Sequence, residues 1–192
     1  MIKRLALAGL ASGILSPTIL YIAGIWLDVF ALFYLYVGPG LVYAICTLLA
    51  IGKTSSVWRR LAYLITVTGV YVVAVLLYLQ LIEGVTSDRI AVGVVGCLGG
   101  GLVVLLTRII TPVKSLFVHG ITGVFIGGIC AAVVPIDWVP SLPNTWILFP
   151  LWQTAIAAYI GKILSIIPMV TSMAPAATSV SDISTVQNLT EQ

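Results

Sequence analysis

Residues 61–82 read LAYLITVTGVYVVAVLLYLQLI. The stretch carries no charged side chain, and Arg59-Arg60 precede it while Glu83 follows it. A bilayer core takes roughly 20 apolar residues of helix to cross, so this run is long enough. In lipid every backbone N–H and C=O must be satisfied within the protein, which leaves helices or a closed barrel. The apolarity here is continuous and does not alternate residue by residue, so a helix is expected.

Five further apolar runs lie to either side, at 5–27, 29–51, 90–107, 115–135 and 145–167. The chain is 60% hydrophobic and 8% charged. A surface built for water carries about a quarter to a third charged residues, so lipid replaces water over most of this one. The expected fold is therefore all-α: a polytopic six-transmembrane-helix bundle forming one domain over 1–167. Residues 168–192 are rich in Ser, Thr, Ala and Pro and lack a long apolar run. They are expected to form a flexible cytoplasmic tail. The sequon Asn188-Leu189-Thr190 falls in that tail and is discounted as a glycosylation site. Lys3 and Arg4 open the chain in the manner of a signal peptide, but the run 5–27 exceeds the 7–15 apolar residues of a signal core, so a retained helix is expected.

The separators set the expected orientation. With the N-terminus inside, Lys3, Arg4, Lys53, Arg59, Arg60, Arg108, Lys114 and Lys162 all fall on the cytoplasmic side. Of the nine Lys and Arg residues only Arg89 falls outside, and short loops are where this bias governs topology. Asp28, Glu83, Asp88 and Asp137 mark outer turns, with Trp138, Pro140 and Pro143 beside the last of them. The expectation is N-in and C-in, a multi-pass protein of the cell membrane, of the bacterial inner-membrane kind. The net charge of +3 comes from these short clusters rather than from a basic patch, so no nucleic-acid partner is expected.

Catalytic and metal chemistry find little support. Cys46, Cys97 and Cys130 form no C-x-x-C pair and lie in apolar runs, as packed small residues do. His119 is the single histidine and has no acidic neighbour in sequence, so a hydrogen bond between helices is its expected use. Gly52-Lys53-Thr54 imitates the end of a phosphate loop, but the glycine that motif needs at position 47 is Thr47. No cofactor, metal or enzyme activity is expected.

Glycines and prolines carry the stronger signals. Gly93, Gly96 and Gly100 repeat along one face of the fourth run, and Gly120, Gly123, Gly127 and Ala131 along one face of the fifth. Small faces let membrane helices approach closely, so Gly96, Gly100, Gly123 and Gly127 are expected at helix contacts. Gly99-Gly100-Gly101 exceeds the need of one contact and suggests bending or room for a ligand. Ser16-Pro17-Thr18 and Gly38-Pro39-Gly40 sit mid-run at similar depth. Each proline removes a helix hydrogen bond, and the second, flanked by glycines, is the more prone to interrupt its helix; the alternative is a pair of tolerated membrane prolines satisfied by neighbouring Ser and Thr. Interrupted helices at the midplane bind solutes in transporters. A candidate solute cavity is therefore expected around Pro17 and Pro39, with Tyr36, Tyr43 and Gln153 as its polar groups. Tyr34, Thr66, Thr68, Tyr71, Trp152 and Thr154 are further polar side chains at membrane depth.

The length, the six runs and the small residues Ala8, Gly9, Ser12 and Gly13 of the first run loosely resemble substrate-binding subunits of energy-coupling-factor vitamin transporters. That resemblance implies that the first helix meets a partner membrane subunit, and it implies no binding residues. The expected function is a small permease, channel or transporter subunit for a neutral or weakly polar solute. The alternative is a non-transporting structural or accessory subunit of a larger membrane complex. The expected partners are the lipid bilayer and either a membrane protein or a second copy of the chain.

Overall fold

The computed structural model describes residues 1–26, 28–52, 55–83, 88–112, 115–133 and 142–166, with side chains described outside 23–33, 82–83, 88 and 142–146. Six helices make up the described chain: α1 (Ile2–Trp26), α2 (Asp28–Ile51), α3 (Val57–Glu83), α4 (Asp88–Leu106), α5 (Leu116–Val133) and α6 (Leu142–Ile166). A 3₁₀ turn, Thr107–Ile109, extends α4. All six are long and apolar enough to cross a membrane, with mean hydropathies from 1.4 to 2.3 over the spanning windows. The expected tail at 168–192, and Lys53, Lys114, Asp137, Trp138 and Pro140, lie outside the described residues.

The link between α2 and α3 shows how short polar elements stop and start these helices. Gly52 takes φ +81°, a left-handed conformation open to glycine, and its N–H reaches back to the Leu48 carbonyl at 3.1 Å. The Arg60 guanidinium donates to the Gly52 carbonyl at 2.8 Å, which satisfies a backbone group past the end of α2. Ser56 starts α3 by accepting the Arg59 N–H on its hydroxyl. Gly52 thus serves as a helix cap, and Lys53 and Thr54 beside it lie outside the described residues.

The helices form a ring in chain order. Each packs on the next, and α6 returns to α1. The middle of the ring is filled from α6, whose Trp152, Gln153 and Ile156 are buried beside Tyr43 of α2, Tyr63, Val67 and Tyr71 of α3, and Val103 and Val104 of α4. α3 is the most peripheral span, burying 17% of its window against 44% for α6. Its buried residues Tyr63, Val67 and Tyr71 recur every four positions and form one narrow stripe.

Three helices contain proline, and all three run on through it. Pro17 lies inside α1, Pro39 inside α2 and Pro150 inside α6. The interruption expected at Gly38-Pro39-Gly40 is thereby corrected. The reason is packing. A Cβ at Gly38 would run into the Tyr34 ring, and one at Gly40 would lie 2.7 Å from Tyr71 Cβ and 3.0 Å from Thr68 Cα. These glycines make room for neighbouring atoms, and the contacts they allow hold the helix together across a lost hydrogen bond. Around Pro17, hydroxyls bind carbonyls of their own helix: Ser16 that of Ser12 at 2.8 Å and Thr18 that of Ile14 at 2.7 Å.

Candidate functional site

The candidate site is an uncharged polar seam in the middle of the ring. Gln153 anchors it. A primary amide offers two N–H donors and an acceptor oxygen, and burial in an apolar core obliges them to find partners. Gln153 is fully buried. Its Oε1 accepts from Ser12 Oγ of α1 at 2.6 Å, and its Nε2 donates to the Tyr71 hydroxyl of α3 at 2.9 Å. The Ser12 proton is shared with the Gly9 carbonyl, 2.9 Å away. One side chain on α6 thus ties three helices together.

Close backbone approach makes this tie possible. A Cβ at Gly13 would lie 2.6 Å from Pro150 N, and one at Gly9 would lie 2.8 Å from Ala157 Cβ. The small face of α1 is therefore spent on α6 within the chain. That removes the residues on which the resemblance to vitamin-transporter subunits rested, since they are no longer free to meet a partner.

Aromatic rings pack around Tyr71 and Trp152. Trp152 packs edge-on against Tyr71, with ring centroids 5.8 Å apart, and tilted against Tyr43 at 6.3 Å. Tyr71 also meets Phe149 at 6.4 Å. The Trp152 indole N–H points to the Gly96 carbonyl at a long 3.4 Å. Gly99 leaves space for the indole, since a Cβ there would touch its ring at 3.3 Å.

A second polar group lies between α2 and α3. Tyr43, Thr47 and Tyr63 are all fully buried. The Thr47 hydroxyl faces those of Tyr43 and Tyr63 without reaching hydrogen-bond geometry to either, and all three hydroxyls lack a hydrogen-bond partner among the described residues. Tyr34, Thr68 and Thr154 also hold buried hydroxyls in that condition. A buried, unsatisfied polar group costs on the order of 1–3 kcal/mol, and three at one place are unusual in an apolar core.

The residues expected at a cavity are thus distributed unevenly. Gln153 and Tyr43 are central. Pro17 and Pro39 are buried in their helices, and the space beside Pro39 is taken by Tyr34 and Tyr71. Tyr36 is half-buried and, two residues from Tyr34, stands on the other side of α2. Ser12, Thr47 and Tyr63 were not singled out as polar groups from the sequence. Their signal was the four-residue spacing of Tyr43 with Thr47, and of Tyr63 with Val67 and Tyr71, which stacks them on one face of each helix.

Beside the seam, the glycine stripes meet each other. A Cβ at Gly96 would lie 2.7 Å from the Gly127 carbonyl oxygen, one at Gly100 would lie 3.1 Å from Gly127 Cα, and one at Gly123 would lie 2.7 Å from the Gly100 carbonyl oxygen. Gly93 faces open space. The triple Gly99-Gly100-Gly101 has three different neighbours: Trp152 of α6, Gly123 and Gly127 of α5, and Val124 of α5. It is part of continuous helix and its space is used by packing. His119 Nδ1 lies 2.9 Å from the Tyr159 hydroxyl, a bond between α5 and α6. Among the described residues no cluster of His, Cys, Asp or Glu is arranged to hold a metal ion. Comparison with protein-family models, with curated proteins and with solved structures returned no match.

Proposed function

We propose that this chain is a small permease or transporter subunit for a neutral, hydrogen-bonding solute. The observation that carries the reading is the group Tyr43, Thr47 and Tyr63 between α2 and α3, whose buried hydroxyls face one another and reach no hydrogen-bond partner among the described residues. A purely structural core would gain by replacing them with Phe and Val. A solute with hydroxyl, amide or carbonyl groups would satisfy them. The described side chains in this core are uncharged, which suits a neutral solute better than an ion. In this reading the structure is the closed form, with Trp152 between Tyr43 and Tyr71 as the plug.

The protein works, on this proposal, as a multi-pass cell-membrane protein with both ends in the cytoplasm. The basic residues support that orientation. Cysteine labelling from outside should reach position 88 and not position 55, and the reverse pattern would overturn it. Transport is tested in proteoliposomes by shrinkage and reswelling with water, glycerol, urea and small sugars. Flux of at least one solute above empty liposomes, lowered severalfold by Thr47→Val or Tyr63→Phe in variants that still fold, is expected. No flux of any of them through folded protein would overturn the proposal.

The second reading is an accessory subunit of a larger membrane complex. It is favoured by the outer side of α3, where Ile65, Val73 and Leu76 are exposed around Gly69, beside which a Cβ would meet only open space. A partner helix is the occupant that reading needs. Stoichiometric co-purification of one membrane protein in mild detergent, lost on Gly69→Trp, would support it. A lone monomer would count against it.

A further inference from the structure

On the outer surface of the bundle, α4 and α5 enclose an apolar trench of about 190 Å³. Its lining from α4 is Leu98, Gly101, Leu102 and Leu105, and from α5 it includes Phe117, Gly120, Ile121 and Val124. The glycines form the floor because both are buried where the helices touch. A Cβ at Gly101 would press on Val124 at 2.6 Å, and one at Gly120 on Leu105 at 2.7 Å. Leu98, Leu102, Phe117 and Ile121 stand as exposed walls.

The trench has a charged end. Leu98, Gly101 and Leu105 follow one another by three and four residues, and a further step of three reaches Arg108 in the 3₁₀ turn. All four therefore lie along one stripe of the helix. Arg108 is exposed, and no ion pair engages it among the described residues. From Arg108 to Leu98 the rise is about 15 Å, at roughly 1.5 Å per residue. That is half of a hydrocarbon core about 30 Å thick, or one leaflet. The surface thus combines a short apolar trench, lined on α4 from Leu98 to Leu105, with an exposed arginine about one turn beyond it on the same stripe.

We propose that this trench is a binding site for an anionic phospholipid, with one acyl chain lying between α4 and α5 and the headgroup phosphate on Arg108. The guanidinium fork matches two phosphate oxygens, and its apolar stem extends the trench wall toward the interface. The chemistry selects anionic over zwitterionic headgroups, whose ammonium group opposes the cation. The site is separate from the central seam, so it does not depend on the transport reading. A bound lipid would brace the α4–α5 pair from outside.

The test is native mass spectrometry of the full chain in detergent, titrated with dioleoylphosphatidylglycerol or dioleoylphosphatidylcholine. The acyl chains are identical, so any preference reports the headgroup. The expected result is one tight lipid per chain and a preference for phosphatidylglycerol of about fivefold, the factor one basic side chain supplies beside an anionic surface. Arg108→Gln should abolish the preference, weakening phosphatidylglycerol more than phosphatidylcholine, and Lys162→Gln should leave the preference intact. Ile121→Trp, which fills the trench from an exposed wall, should weaken both lipids. Equal affinity in the unmodified chain, or a preference that survives Arg108→Gln, would overturn the proposal. So would full competition by inorganic phosphate, which would mean that no chain is seated. A dimer that excludes lipid and that Ile121→Trp separates would assign the trench to a second copy instead, which also overturns it.

Discussion

At the α4–α5 seam the backbones meet across Gly96, Gly100, Gly123 and Gly127, with no side-chain hydrogen bond between the two helices among the described residues. Where α1 and α3 meet α6, the contact runs through Ser12, Gln153 and Tyr71. Lipid tails are as apolar as leucine, so neither contact is driven by a hydrophobic effect between helices. The first gains dispersion from proximity and is vulnerable to any added atom. The second adds paired polar groups to the close approach at Gly9 and Gly13, and is vulnerable also to the loss of a hydrogen-bonding member. Added bulk and removed partner are different injuries, so substitutions can tell the two regions apart.

The largest effect is expected at the seam. Gly100→Leu and Gly127→Leu put side chains where backbone of the facing helix stands, and each should cost about 1–3 kcal/mol or more. Folded, monodisperse yield and denaturant unfolding should both drop, while Gly93→Leu, which meets open space, should behave like the unmodified chain. Equal tolerance at 93, 100 and 127 would break the assignment of the seam to packing.

At the polar junction, Gln153→Leu strands the buried Tyr71 hydroxyl, while Ser12 keeps the carbonyl of Gly9. Stranding such groups costs on the order of 1–3 kcal/mol, toward the low end here because hydrogen bonds between membrane helices average about 0.6 kcal/mol. Combining Gln153→Leu with Ser12→Ala and Tyr71→Phe should recover part of the loss. A purely additive triple variant would show that the three do not act as a unit. In the transport assay, a variant that folds but loses flux would place Gln153 on the route, and joint loss of both would make it structural.

A smaller effect is expected at the half-buried pair His119 and Tyr159. Tyr159→Phe removes one interhelical bond and should cost about 0.6 kcal/mol in denaturant unfolding. A cost several times larger would mean that α5 and α6 depend on it more than on their packing. The smallest is at Gly69, in α3. Gly69→Ala should raise stability by roughly 0.5 kcal/mol, because alanine loses less backbone freedom in a helix and meets nothing there. Destabilisation would show that the outer side of α3 is covered in the native assembly, which sharpens the second functional reading.

These contrasts also mark what one sequence can disclose. Helix positions were legible because spanning a bilayer imposes length and apolarity on each segment separately. The glycine repeats on α4 and α5 were legible because close approach needs small residues at helical spacing. Who faces whom was harder. The small face of α1 reads the same whether it meets α6 or another protein. Gln153 announces a need for partners, but Ser12 lies 141 positions away and nothing local connects them. Gly38-Pro39-Gly40 misled because local propensity points to a break, while the contacts of Tyr34 and Tyr71 decide otherwise. Tyr63 and Thr47 were overlooked because a lone hydroxyl in an apolar run looks like core until its neighbours are known.

The ring order of the helices has a consequence for biosynthesis. As the chain emerges, α2 can settle on α1, α3 on α2, and so on, each against a neighbour already inserted. The contact between α1 and α6 is different, because it waits for the last span. Until then Gly9, Ser12 and Gly13 have no α6 to rest on, and the Ser12 hydroxyl has only its own helix carbonyl. The ring closes in a single late event, when Gln153 arrives. A chain held before α6 emerges would leave the small face of its first helix uncovered.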